Sequence, residues 1–291
     1  MVKTLLDVVV PALNFVLLVA VGLDLTADDF ARVRRHRALV LTGLFAPLFV
    51  LPPLALLLTS SFETSPEVTA GMLLIAACPI GGISNAYSYL ARASTALSVT
   101  LTGLSCLFAS LTIPLVGQVL GWASGQVLDL AAPIPLLFGQ LVMVLGLPLA
   151  LGMWLRRRSP NGAARGRATL QRLAFVGIAI VFLLIILDAP DAFLSELATT
   201  ALPAAVFVLL SMGAGWLISV PVTGDPKDRF TLAAEFGTRN IAVAIAIAVT
   251  LLGRVEFARF ATTYALVEVP LMLGAVTLFR RHDQRARNDQ L

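Results

Sequence analysis

The sequence predicts an all-α polytopic membrane protein of nine transmembrane helices, two of them broken in mid-span. Three observations lead there. Of its 291 residues 58% are hydrophobic and only 13% charged, with a mean hydropathy of +0.90, well outside the usual composition of a soluble domain. Apolar runs of about 20 residues, enough for a helix to cross a hydrocarbon core of about 30 Å, recur from end to end. Two of these runs carry helix breakers or ionisable residues near their centres. A β-barrel would instead show short alternating segments.

The first run, about 5–25, has no cleavage-site pattern and reads as a retained helix rather than a signal peptide. The second, about 37–59, follows the basic RVRRHR and ends at the polar SSFETSPE. The third, about 68–90, contains PIGGISN, and the fourth, about 95–121, follows ARAS. The fifth, about 132–155, stops at Arg156, Arg157 and Arg158, and the sixth, about 171–188, begins beyond a second basic stretch. DAPDAFLSE, GDPKD and the pair Arg254 and Arg259 set off the seventh, eighth and ninth, at about 199–221, 229–252 and 260–279. No long Ser- or Gly-rich linker divides the chain, so residues 1–291 read as one transmembrane domain. Cys78 and Cys106 both lie in apolar runs without a metal-ligand partner by spacing.

The loops set the orientation. All but four of the 21 Lys and Arg fall in one alternate set of loops; the exceptions are Lys3, Arg239, Arg254 and Arg259. The other set is acidic or neutral. The positive-inside rule makes the basic set cytoplasmic. The chain is thus expected to be a multi-pass protein of the cell's inner (plasma) membrane, with its N-terminus outside and its C-terminus in the cytoplasm. The basic pI of 9.6 reflects these loops rather than nucleic-acid binding.

Segments three and eight are interrupted. PIGGISN places a proline, two glycines, a serine and an asparagine inside an apolar stretch; such residues free backbone groups that hydrocarbon cannot satisfy. Segment eight carries EFGTRN, with Glu235, Arg239 and Asn240. A charge at mid-bilayer costs about 2.5–3.5 kcal/mol on the insertion scale. A structural Glu235–Arg239 pair one helical turn apart is one reading. Two interrupted helices in one chain, however, are the pattern of a secondary transporter built from inverted repeats, with ions and substrate bound at the midplane.

The stretch CPIGGISNAYSYLARASTALSVTLT, followed by EFGTRN, resembles the bile acid:sodium symporter family, as does VAVGLDLTADDF near the start. The resemblance keeps motif order and spacing over nearly the whole chain. It implies two helical repeats of opposite orientation, with the broken helices crossing. The panel domain would be segments one, five and six (about 5–25 and 132–188) and the core segments two to four and seven to nine (about 37–121 and 199–279). Many bacterial members have ten spans, and this chain starts at the position of their second. The family's first sodium site carries over to Ser84, Asn85, Ser98, Thr102 and Glu235. Hard cations favour such oxygen donors, and Ser98 and Thr102, four apart, share a helix face. Small polar residues also serve as plain helix packing.

The family's second sodium site is altered. Its two glutamine positions align with Pro47, which has no ligand atom, and Arg239, whose guanidinium repels cations. Arg239 is expected either to replace that sodium as a tethered charge, salt-bridging Glu235 and holding the crossover, or to pair with the anionic group of the substrate. Asn240 matches an asparagine facing the substrate cavity, and Gly81 and Gly82 would let the broken helices cross closely. Glu268, in the last segment, could titrate protons, partner Arg239 or lie at the outer rim. The expectation is Na⁺-coupled symport of a small or amphipathic organic anion by alternating access, acting in the lipid bilayer as a monomer. The alternative is a sodium-independent or proton-coupled carrier in which Arg239 stands in for the ion. No HExxH motif, Ser/His pair or carboxylate cluster suggests an enzyme, and no ring of pore-lining charge suggests a channel.

Overall fold

The structure, a computed structural model, describes residues 2–26, 31, 36–124 and 134–288. Those residues form α1 (Val2–Asp24), α2 (Arg37–Ser61), α3 (Pro66–Ala77), α4 (Ser84–Leu90), α5 (Thr95–Ser124), α6 (Ile134–Leu141), α7 (Leu147–Arg158), α8 (Pro160–Asp188), α9 (Pro190–Ser219), α10 (Pro226–Gly237), α11 (Ile241–Ala246) and α12 (Val255–Asn288). π-helical turns, Val142–Gly146 and Ile247–Leu251, join α6 to α7 and extend α11. Among the described residues, five stretches could each cross a membrane by length and composition: Arg37–Ser61, Thr95–Val116, Phe138–Arg158, Pro190–Ser219 and Val255–Gln284. Val8–Asp24, Pro66–Ala77, Val176–Asp188 and Ile241–Leu251 are shorter apolar helices. The regular structure of the described residues is all helical, and the protein is multi-pass. Asp29, Phe30, Arg32, Arg34 and Arg35, at the end of the early motif and in the first basic loop, lie outside the described residues.

Helix starts follow their local chemistry. Ser65 caps α3 by accepting from the Val68 N–H at 3.4 Å, with Pro66 in the first turn. Asp225 caps α10 by accepting from Lys227 N–H at 2.9 Å, again before a proline. Each such cap satisfies an N–H that the helix itself cannot. Arg92, at φ 57°, ends α4 in the left-handed region. There Ala93 N–H reaches the Ser88 carbonyl and Arg92 N–H that of Tyr89, the paired bonds of a Schellman ending.

Two sequence expectations change. The basic stretch after Arg158 is not a loop: α8 starts at Pro160, with Ser159 as the only break. A proline at the first helical position costs no hydrogen bond, so the turn can be this short. Pro190 does the same for α9, which begins well before the expected 199.

The surface is apolar and the centre tight. Phe49 is 76% exposed, Leu217 69% and Leu278 68%, as suits lipid contact. Inside, Met72–Ala77 of α3 and Ala242–Val249 are buried throughout, and all but Ala77 and Ala242 join one apolar core with residues of α2, α5, α9 and α12. On the opposite flank α1 packs on α7 through backbone contact. A Cβ added at Gly22 would lie 2.3 Å from the Leu149 carbonyl oxygen, and one at Gly152 2.2 Å from that of Val19. Such small-residue contacts give close helix approach in membranes. Between flank and core runs an apolar seam, where Val10 and Leu13 of α1 and Ile178 and Val181 of α8 meet Ile241, Ala242 and Ile245 of α11.

Candidate functional site

The two interruptions meet. α3 ends at Ala77 and α10 at Gly237; Cys78 and Thr238 then take extended backbone angles. Ile80 and Arg239 form an isolated antiparallel bridge, with Gly81 N–H donating to Thr238 O at 3.1 Å and Asn240 N–H to Pro79 O at 2.8 Å. Three further freed groups find partners too. Ile80 N–H donates to Ser105 Oγ at 3.1 Å. The Cys78 carbonyl accepts from Arg239 Nη2, and the Gly237 carbonyl from the Tyr264 hydroxyl. That accounting is what a broken helix needs away from water.

Next to the bridge lies a cluster of oxygens. Glu235, fully buried on α10, accepts from Ser84 Oγ at 3.1 Å, from Thr102 Oγ1 at 3.4 Å and from Ser98 Oγ. Asn85 Oδ1 accepts from Ser98 Oγ at 2.8 Å and Thr102 Oγ1 at 3.4 Å. Ser84 Oγ is 3.5 Å from Ser98 Oγ and 3.3 Å from Thr102 Oγ1. The structure therefore brings together Ser84, Asn85, Ser98, Thr102 and Glu235. Each hydroxyl has one proton, yet each stands near three other oxygens. Lone pairs are in surplus around one carboxylate, a donor set fitted to a hard cation.

Arg239 departs from expectation. It is 2% exposed, and its guanidinium bonds the backbone oxygen of Glu235, from Nη1 at 3.5 Å, and that of Cys78. No ion pair with the Glu235 carboxylate forms. The three hydroxyls already occupy that carboxylate, whereas the last carbonyls of α3 and α10 are left bare by the breaks and draw a positive charge. Arg239 still ties the two interruptions together through these carbonyls. Pro47 of α2 lines the same crevice as Arg239, together with Cys78, Ser105 and Phe108. Asn240 is buried, and its Oδ1 caps α11 by accepting from Val243 N–H at 3.1 Å.

Glu268 is not at a rim and does not partner Arg239. It is fully buried and accepts from Thr238 Oγ1 at 2.8 Å and Tyr87 Oη at 3.3 Å. The glycines divide. A Cβ on Gly81 would lie 2.7 Å from the Arg239 carbonyl oxygen, whereas one on Gly82 would meet only Val21 Cγ2, at 3.6 Å. Gly82 is exposed and does not enable the crossing. Gly81→Ala should therefore lower stability by about 1–3 kcal/mol, since backbone cannot yield as a side chain can. Gly82→Ala should stay within about 0.5 kcal/mol. Thermal unfolding of the two variants checks the contrast. Sequence reading missed Ser105, Tyr87, Thr238 and Tyr264. Ser105 and Tyr87 lie one turn beyond Thr102 and Ser84, a spacing that marks the same helix faces.

A helical multi-pass protein with crossed broken helices and a buried oxygen cluster defines the class. A model of the sodium bile acid symporter family matches residues 10–196, and the chain belongs to that family. It is therefore a transporter-family protein and not an enzyme. It is 26% identical over 239 residues to the uncharacterized sodium-dependent transporter YocS of Bacillus subtilis, covering 80% of this chain and 71% of that one. It is 26% identical over 249 residues to the probable sodium/metabolite cotransporter BASS2, chloroplastic, of Oryza sativa subsp. japonica, covering 83% and 56%. It is 23% identical over 260 residues to the human sodium-dependent organic anion transporter, covering 86% and 66%. The chain thus spans little more than half the length of the rice relative.

Proposed function

We propose that the protein is a secondary active transporter that couples one sodium ion to uptake of an organic anion, bile-acid-like or a small carboxylate. The carrying observation is the convergence of Ser84, Asn85, Ser98, Thr102 and Glu235 from both interruptions and α5. These residues would hold the sodium, whose charge the Glu235 carboxylate balances. Nine spans, arranged as inverted repeats with an outside N-terminus, agree with the alternation of basic and acidic loops. Segments one, five and six would form the panel and the others the core, moving past each other in the plasma membrane as a monomer.

Arg239 takes the part of a second sodium in this reading. It lies beside Pro47 and bridges two carbonyls that could otherwise face a cation. One sodium per monovalent anion moves no net charge, so membrane potential should not drive uptake. A second reading, a carrier independent of sodium, draws on the same guanidinium as a built-in positive charge. Uptake of a labelled bile acid or pyruvate into proteoliposomes separates them. The first reading expects transport that needs an inward sodium gradient, has a Hill coefficient near one, and is not accelerated by an inside-negative potential. Transport unchanged when choline replaces sodium supports the second.

A further inference from the structure

The crossover holds a second buried carboxylate with no part in the sodium cluster. Glu268 takes one hydrogen bond on each oxygen, from Thr238 and from Tyr87. These partners stand on the segments that build the cluster: Tyr87 follows Ser84 by one turn on α4, and Thr238 follows Glu235 by three residues. The ionisable groups facing Glu268 are Tyr87 and, one turn earlier on α12, Tyr264. Arg239 spends its bonds on the Cys78 and Glu235 carbonyls. Two carboxylates on the other helices packed against α12 are engaged elsewhere. Glu196 of α9 pairs with Arg259 at 3.0 Å, near Glu67 of α3 and about 13 Å along α12 from Glu268. Asp228 of α10 is held by Ser94 and Thr223. Among the described residues no cation pairs with Glu268.

The charges of this buried centre do not cancel. Glu235 and Glu268 are two carboxylates, and Arg239 is one guanidinium. One more positive charge balances them, and an uncompensated charge inside a membrane is costly. Sodium in the oxygen cluster supplies it while bound. We propose that Glu268 takes up one proton from water when sodium leaves and releases it when sodium returns. The empty carrier then goes back across the membrane protonated, exporting one proton per sodium taken up. The exchange rests on the sodium reading above; the proton site stands apart from it.

Difference infrared spectroscopy on the purified full chain, with isothermal titration of sodium alongside, tests both. In sodium-free buffer, acidification should raise a carboxylic-acid C=O band. Saturating sodium at constant pH should remove it and release one proton. Glu268→Gln should lack the band, and Tyr87→Phe, which strips Oε2 of its donor, should move it to higher frequency. A band that persists in Glu268→Gln and is unmoved in Tyr87→Phe belongs to another carboxyl and overturns the assignment. A Glu268 band indifferent to sodium, in protein shown by calorimetry to bind sodium, overturns the exchange. If calorimetry finds no sodium bound while the band follows pH and vanishes in Glu268→Gln, the sodium reading and the exchange fall and the proton site holds.

Discussion

Replacing Glu235 with alanine should abolish sodium binding and sodium-driven uptake. The variant removes the cluster's one formal charge and the acceptor shared by Ser84, Ser98 and Thr102. What remains is three hydroxyls and an amide oxygen, neutral groups that must replace the hydration shell of an ion. A charged partner in a desolvated site contributes about 3 kcal/mol, equivalent to about 100-fold in Kd. Titration calorimetry should show saturable binding to one site in the native protein and none in the variant at the same sodium range. An unchanged Kd would sink the assignment of this cluster. Ser98→Ala is the graded companion: it leaves the charge in place and removes one oxygen, so binding should weaken about 10-fold rather than vanish.

Changing Arg239 and Pro47 together to glutamine should alter the stoichiometry rather than the affinity. The native guanidinium sits where two carbonyl ends converge. Removing its charge and supplying two amide oxygens creates room and ligands for a second sodium, so the Hill coefficient should rise from near one toward two. Each added charge should also shift the voltage dependence of uptake toward drive by an inside-negative potential, by about 2.3 kcal/mol per 100 mV. Arg239→Gln alone should also lower thermal stability, because a buried carbonyl left unpaired costs about 1–3 kcal/mol. If cooperativity stays at one and only substrate affinity falls, the guanidinium is a substrate ligand instead.

Much of this site was legible in the sequence because its residue types are improbable there. Glycines, a serine and an asparagine in an apolar run announce freed backbone, and Glu235 and Arg239 announce a place that lipid does not reach. A Glu235–Arg239 ion pair one turn apart presupposes an unbroken helix between them. Four residues apart they share a helix face, but the chain leaves the helix at Thr238, and the guanidinium follows the bare carbonyls instead of the carboxylate. Glu268 was visible as an oddity without an address. Its partners, Tyr87 and Thr238, come from segments far away in sequence, and no periodicity within α12 could name them. The helical start at Pro160 was hidden by its arginines, which read as a loop by composition although each is a good helix former.

The bridge between Ile80 and Arg239 makes the two interruptions behave mechanically as one piece. Pulling them apart breaks two backbone hydrogen bonds and the Arg239 bond to Cys78 together, with no water at hand to replace them. A change of shape therefore follows a softer path. The seam of Val10, Leu13, Ile178 and Val181 against Ile241, Ala242 and Ile245 is greasy, without directional bonds among these side chains, and contacts of that kind can slide at little cost. In the proposed alternating-access motion the knot of crossed segments would be a rigid cargo carried past α1 and α8, with the slip plane set by aliphatic side chains.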